Sequence, residues 1–284
     1  MQLIEDLETF LNTRSRIKED IGLVPTMGFL HEGHKALIRE ARKDCSIVIV
    51  TIFINPTQFA PNEDLDTYPR NLPGDLEICE QLGVDYVFAP NSFSVLYPEG
   101  FCTFVECKIG LPETNPSSEG AFRPHFFRGV ATVVAKLFNI VRPNKAYFGQ
   151  KDAQQCAVIQ RMVIDLNQNV DIVVVPTVRE KDGLAMSSRN AYLSVEEREK
   201  ATILYRMLQK AKELYTAGML DVNRMKEELE NLAAQVDGFH LHYVSICNPK
   251  TFKEYENQIP SCDTLVCVAG TLGKARLIDN ILLN

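Results

Sequence analysis

The sequence is short of the features that mark several functional classes. No apolar run is long enough to cross a bilayer; the longest, residues 47–54 and 172–178, have the length of buried strands, so no membrane role is expected. Basic runs are also missing. Lys and Arg number 30 against 37 Asp and Glu, a formal charge of −7, and an acidic surface with no basic patch argues against nucleic acid as a partner. The first residues, MQLIEDLETFLNTR, carry acids where a secretory leader needs a basic start and an apolar block, so they read as an ordinary amphipathic helix and export is not expected. The eight cysteines contain no C-x-x-C pair, which leaves neither a zinc ribbon nor a disulfide framework and favours buried reduced thiols. There is no internal repeat and no low-complexity segment.

What is present fits a globular enzyme: 284 residues, 45% apolar and 24% charged, enough chain for a larger and a smaller domain. From about residue 21 to 178, short β-branched runs alternate with helical patterns, the signature of a parallel sheet with crossover helices. Five strands are expected, beginning near Ile21, Ser46, Val84, Lys145 and Val170, and several are apolar throughout, as when helices cover both faces. Past Arg179 the texture changes. EKDG signals a turn, and Ser194 with Glu197 forms a capping box predicting a long helix to about Ala217. Another helix should begin near Asp221, and the chain returns to strands at HLHYVSI, TLVCVAG and ARLID. The reading is therefore α/β, a Rossmann-like domain over residues 1–178 and a smaller α+β lid domain over 179–284.

Ligands of open parallel sheets sit beyond the carboxyl ends of the strands. Polar segments follow four of the five: MGFLHEGH, NPTQF, GQKD and VREKDGLAMSSRN. In the first, Gly28 permits a tight turn, and Gly33 and His34 start an amphipathic helix whose free amides and dipole attract phosphate. His31 and His34 could then donate to the anion and stabilise charge developing on it. Two other readings stand beside this one. The histidines are three apart rather than four, with no third ligand for zinc, or they form an ordinary surface pair. AMSSRN could grip a polyphosphate through two hydroxyls and a guanidinium, or merely precede a helix. Lys151 could neutralise phosphate or be a solvated lysine, and Gln58 and Gln155 could orient polar substrate groups or be surface amides.

Taken in order, PTMGxLHxGH, FxNPxQF, YPR, FGxKDxQQ, VPTVRExDGLAMSSRNxYL and the terminal ARLIDN resemble the pantothenate synthetases, or pantoate–β-alanine ligases, across nearly the whole chain. HxGH alone would indicate only the wider nucleotidyltransferase superfamily, whose adenylyltransferases are the alternative enzyme reading. The resemblance implies ATP and Mg2+, a cytoplasmic homodimer, and condensation of pantoate with β-alanine through a pantoyl adenylate. It places ATP against Met27, Gly28, Phe29 and Leu30 in the turn and against His31, Glu32, Gly33 and His34 at the helix start. Further ATP contacts are implied for Gly149, Gln150, Lys151 and Asp152, for Val178, and for Met186, Ser187, Ser188 and Arg189. Gln58 should touch pantoate and β-alanine, and Gln155 pantoate. His34, His31 and Lys151 carry the chemistry, His34 as the acid. Two departures stand out. Gln150 replaces the usual glutamate of FGEKD, and RPHFFRG has its histidine at His125, with Phe126 where the pattern RPxHFxG has the imidazole.

Overall fold

The computed structural model describes residues 1–61, 63–110 and 115–284. The chain divides into two compact units, one of Met1–Cys107, His125–Gly149 and Val158–Pro176, the other of Lys108–Pro124, Gln150–Ala157 and Thr177–Asn284. In order, the elements are β1 (Gln2–Ile4), α1 (Leu7–Arg16), β2 (Ile21–Thr26), α2 (Glu32–Asp44), β3 (Ile47–Ile52), α3 (Leu72–Gln81), β4 (Tyr86–Phe88), α4 (Phe93–Leu96), α5 (Glu119–Phe122), α6 (Phe126–Val141), β5 (Lys145–Gly149), α7 (Ala153–Asp165), β6 (Asp171–Val175), α8 (Val195–Lys200), α9 (Ile203–Thr216), α10 (Val222–Ala234), β7 (Phe239–Cys247), β8 (Thr264–Leu272) and β9 (Ala275–Leu283).

The first unit is built on a six-stranded sheet, order β1-β4-β3-β2-β5-β6, every pairing parallel. The chain winds outward from β2 through β3 to β4, then returns to the other side of β2 for β5 and β6, so the order reverses between β2 and β5. Ligand crevices form beyond the carboxyl ends of strands at such a reversal. Apolar runs build the strands because both faces are covered: Val24, Val48, Val50, Val87 and Tyr147 are buried, with Ile38 and Ala41 of α2 packed onto them. Pro25 is tolerated in a central strand because the pairing of β2 with β5 involves only Gly22 and Leu23. All five expected strands form, as β2 to β6, and the sixth is a departure. Gln2–Ile4, expected as the start of a helix, is an edge strand, with Ile4 buried opposite Phe88 and the exposed Asp6 capping a helix that begins at Leu7. Phe10 of that helix closes on Phe88 with ring centroids 4.4 Å apart.

In the second unit α9 and α10 bury Leu204, Met207, Leu208, Met225 and Leu229 against Val244, Ile246, Val266 and Val268 of the antiparallel sheet β7-β8-β9. The capping box at Ser194 and Glu197 forms as read. The helix it opens is not continuous to Ala217. It stops at Lys200 and resumes at Ile203, because Thr202 turns its hydroxyl back to the Glu199 carbonyl at 2.8 Å and its amide to the same group, tightening the turn. All eight cysteines are free thiols; five are buried, while Cys107 is half-buried and Cys102 and Cys262 are exposed.

Candidate functional site

The turn after β2 is held by groups distant in sequence. Thr26 Oγ1 donates to the Thr51 carbonyl at 2.7 Å and accepts the Gly28 N–H at 3.1 Å. Gly28 then adopts φ +82°, and Phe29 follows at φ +51°, a left-handed conformation that a non-glycine residue takes only when its surroundings fix it. What fixes it is Asp75 in the first turn of α3. Its carboxylate accepts the N–H groups of Phe29 at 2.8 Å and of Leu30 at 2.7 Å while only 2% exposed. Burial pushes the Asp75 carboxyl above the usual carboxylate range, and those two hydrogen bonds pull the other way. A methyl group at Gly28 would lie 2.9 Å from Asp75 Oδ2, so the glycine is demanded twice over, by dihedral and by space. Asp75 escaped the sequence reading because an acid in the first turn of a helix has an ordinary local explanation.

Beyond this turn His31 is the N-cap of α2. The Gly33 N–H donates to His31 Nδ1 at 3.1 Å, and the His31 N–H donates to His34 Nδ1 at 3.3 Å. The two rings lie 4.1 Å apart, tilted by 42°. An imidazole nitrogen that accepts carries no hydrogen, so each neutral ring keeps its proton on Nε2 and presents a donor there. The pair therefore forms a capping box of unusual composition in which the backbone sets both tautomers. Among the described residues no group of three or more His, Cys, Asp or Glu is arranged to hold a metal ion. Glu32 turns along the helix to Lys35 and Arg39.

Gln58 lies in the 3-10 turn after β3 and is buried, its Nε2 3.0 Å from Met27 Sδ. Asn55 orients it. The Asn55 amide donates to Gln58 Oε1 and to the Gly129 carbonyl, both at 3.2 Å, and accepts from Thr57 at 3.0 Å. Gly129 lets α6 approach this turn closely, since a side chain there would collide with the Thr57 carbonyl and the Gln58 amide. Of the shifted pair, His125 is exposed at the entry to α6, and Phe126 packs edge-on against Phe127 with centroids 5.0 Å apart.

The other candidates belong to the second unit, apart from Gly149 at the end of β5 in the first. Gln150, Lys151 and Asp152 form a 3-10 turn, with Lys151 Nζ 3.6 Å from Asp152 Oδ1. Lys151 lines a small cavity together with Ser187, Asn190 and Asp279. Val178 and Met186 are joined directly, the Met186 N–H donating to the Val178 carbonyl at 3.0 Å. Between them EKDG turns back, pinned by Arg198, which reaches Glu180 and Asp182, each at 2.7 Å. Ser187 caps the next 3-10 turn by accepting the Arg189 N–H at 3.3 Å, and Ser188 is buried. Gln155 is half-buried. Its neighbour Gln154 is the fixed one, with its amide bonded to the carbonyls of Ile109 and Gly110 and the N–H of Gly120.

Comparison with known proteins gives a consistent picture. The family model described as pantoate-beta-alanine ligase matches residues 1–282. The chain is 48% identical over 283 residues to a protein named pantothenate synthetase from Chloroflexus aurantiacus, covering 100% of this chain and 98% of that one. Its structure is similar to the pantothenate synthetase of Thermus thermophilus, with a TM-score of 0.91, 44% identity and 99% of each chain covered. It is also similar to the pantoate-beta-alanine ligase of Francisella tularensis complexed with beta-gamma ATP and beta-alanine, with a TM-score of 0.81, 35% identity, and 99% and 97% of the two chains covered.

Proposed function

The chain belongs to the pantoate–β-alanine ligase family, and we propose from that premise that it condenses pantoate with β-alanine at the expense of ATP, with His31 and His34 serving the transferred phosphoryl group. The observation that carries the assignment is the pair of backbone-set tautomers. Two neutral imidazoles at the start of α2 each offer an Nε2 hydrogen, and they follow β2 at the point where the strand order reverses.

A pantoate carboxylate oxygen attacks the α-phosphorus of ATP, the bond to the bridging oxygen breaks, and pyrophosphate leaves; the product is pantoyl adenylate. The protein contributes position and charge rather than covalent chemistry. His34 and His31 donate to the α-phosphate oxygens as negative charge grows there, with Lys151 supplying a fixed positive charge. Met27, Gly28, Phe29, Leu30, Glu32 and Gly33 shape the nucleotide turn, and Gly149, Gln150, Asp152 and Val178 add ATP contacts. Ser187, Ser188 and Arg189 take the β and γ phosphates, and Met186 adds an ATP contact. Gln58, held by Asn55, orients pantoate and then β-alanine, and Gln155 adds a pantoate contact. The β-alanine amine attacks the activated carbonyl, loses a proton, and AMP departs.

Mg2+ accompanies the triphosphate. The Asp152 carboxylate beside Lys151 would suit an ion that draws most of its ligands from phosphate oxygens and water, and the ion would supply positive charge toward the leaving pyrophosphate. The functional division at residue 178, with a nucleotide domain before it and a lid after it, a homodimeric state and a cytoplasmic setting complete the reading. No helix among the described residues is long and apolar enough to cross a membrane. The test is an assay for AMP and pyrophosphate with pantoate, run with and without β-alanine, on wild type and His34→Ala. Preorganised donors to developing charge are worth roughly 2 to 4 kcal/mol, so a loss of about 30- to 1,000-fold is expected. Full turnover by the variant removes His34 from the mechanism, and pyrophosphate release without amide product selects an adenylyltransferase.

A further inference from the structure

The side chain of Asn280 on β9 reaches the Gln150–Asp152 turn. Asn280 is 4% exposed, and its side-chain amide makes three hydrogen bonds. Nδ2 donates to the carbonyls of Gln150 and Lys151, each at 2.9 Å, and Oδ1 accepts from Gln150 Nε2 at 3.0 Å. The two carbonyls can only accept, so they fix the orientation of the amide. Asn280 is itself immobilised. It sits opposite Cys267 in the β8–β9 ladder, and its own N–H donates to Asp279 Oδ1 at 2.8 Å. Asp279 in turn holds Arg179 through two bonds, at 2.6 and 3.0 Å, with the guanidinium lying 4.8 Å over the Tyr205 ring. Two consecutive carbonyls clamped from a rigid sheet leave the backbone of Lys151 little freedom, and Lys151 faces the cavity it shares with Ser187.

We propose that Asn280 is a positioning residue for the reaction, acting through Lys151 by fixing the main chain of the Gln150–Asp152 turn; this rests on the assignment of Lys151 to the ATP phosphates. It also accounts for the neutral residue at 150. Two of the three bonds go to backbone, and the third needs a donor from side chain 150, which the Gln150 amide supplies through Nε2 and a carboxylate would not.

The test is a double-mutant cycle of Asn280→Ala and Lys151→Ala on the intact enzyme. It is read as pantoate-dependent pyrophosphate release, as amide formation from supplied pantoyl adenylate and β-alanine, and as ATP binding by calorimetry. Loss of two buried neutral hydrogen bonds that act on the lysine should lower kcat/KM for ATP in adenylation by about 10- to 30-fold. Amide formation should change by less than about 3-fold, and Asn280→Ala should cost less than about 3-fold when Lys151 is already alanine. Asn280→Asp, which turns an acceptor toward two carbonyls, should be worse than Asn280→Ala. If Asn280→Ala does not fold, Asn280→Ser, able to donate to one carbonyl only, takes its place with an intermediate loss. An equal cost in the presence and absence of Lys151, or equal loss in both half-reactions, overturns the proposal, as does a Lys151→Ala enzyme that adenylates normally. Wild type that binds ATP but forms no pantothenate would sink the functional reading instead, and the calorimetric cycle would still decide the role of Asn280.

Discussion

Replacing Asp75 by Asn should separate stability from catalysis, because the carboxylate spends a buried charge on a turn. Hydrogen bonds to a charged group are worth roughly 1.5 to 3 kcal/mol each, so the two at 2.8 and 2.7 Å stabilise the Phe29–Leu30 backbone against the cost of burying the charge. Burial prevails, since the Asp75 carboxyl lies above its ordinary pKa. The folded protein therefore takes up this proton at a higher pH than the unfolded chain. The group weighs against folding at neutral pH, and the penalty is relieved as pH falls through the folded pKa toward the ordinary carboxylate value. Asn abolishes the charge, keeps one acceptor, and turns an NH2 group toward a backbone N–H. Global stability should change by no more than about 1 kcal/mol, as the removed penalty offsets the lost bond. The turn should relax, and with it the histidine pair that follows, lowering adenylation by about tenfold or more, equivalent to about 1.4 kcal/mol of transition-state stabilisation. Asp75→Ala, which orphans both amides, should lose several kcal/mol of stability as well. The assay is pyrophosphate release with pantoate, beside urea denaturation from pH 4 to 8. Undiminished adenylation by the Asn variant, or activity lost only in proportion to unfolding, would refute the reasoning.

Gly129→Ala should push α6 off the turn that carries Gln58, costing about 1 to 3 kcal/mol by overpacking and raising KM for pantoate more than KM for ATP; a wild-type Tm would count against it. His242 supplies an acid-sensitive component. Burial, then the neighbouring Arg276, holds its imidazole below the ordinary 6.5, with Glu119 opposing and His240 adding slightly. The unfolded chain therefore binds a proton near pH 6.5 that the folded protein refuses, so stability is kept above that pH and drains as pH falls beneath it. His242→Gln should flatten that limb of a plot of denaturation midpoint against pH, and superimposable limbs would exclude the histidine.

The sequence by itself determined whatever neighbours in the chain decide together. Apolar runs of strand length alternating with helical patterns sufficed for the parallel sheet, Ser194 and Glu197 announced a helix start three residues apart, and Gly33 with His34 marked another. The motifs that carry family membership are of the same local kind. Tertiary structure decided what closes over distance. Ile4 became strand rather than helix because Phe88 stood ready to pair with it. Asp75 became the anchor of Phe29 and Leu30 across 46 and 45 residues, Asn55 met Gly129 across 74, and Asn280 met Lys151 across 129. A buried carboxylate or amide bonds whichever backbone group the topology delivers to it, and in sequence it looks like any other Asp or Asn. Hydrophobic pattern and capping reveal which elements form, while the partners that hold a reactive turn in place are selected only when the sheet order brings them together.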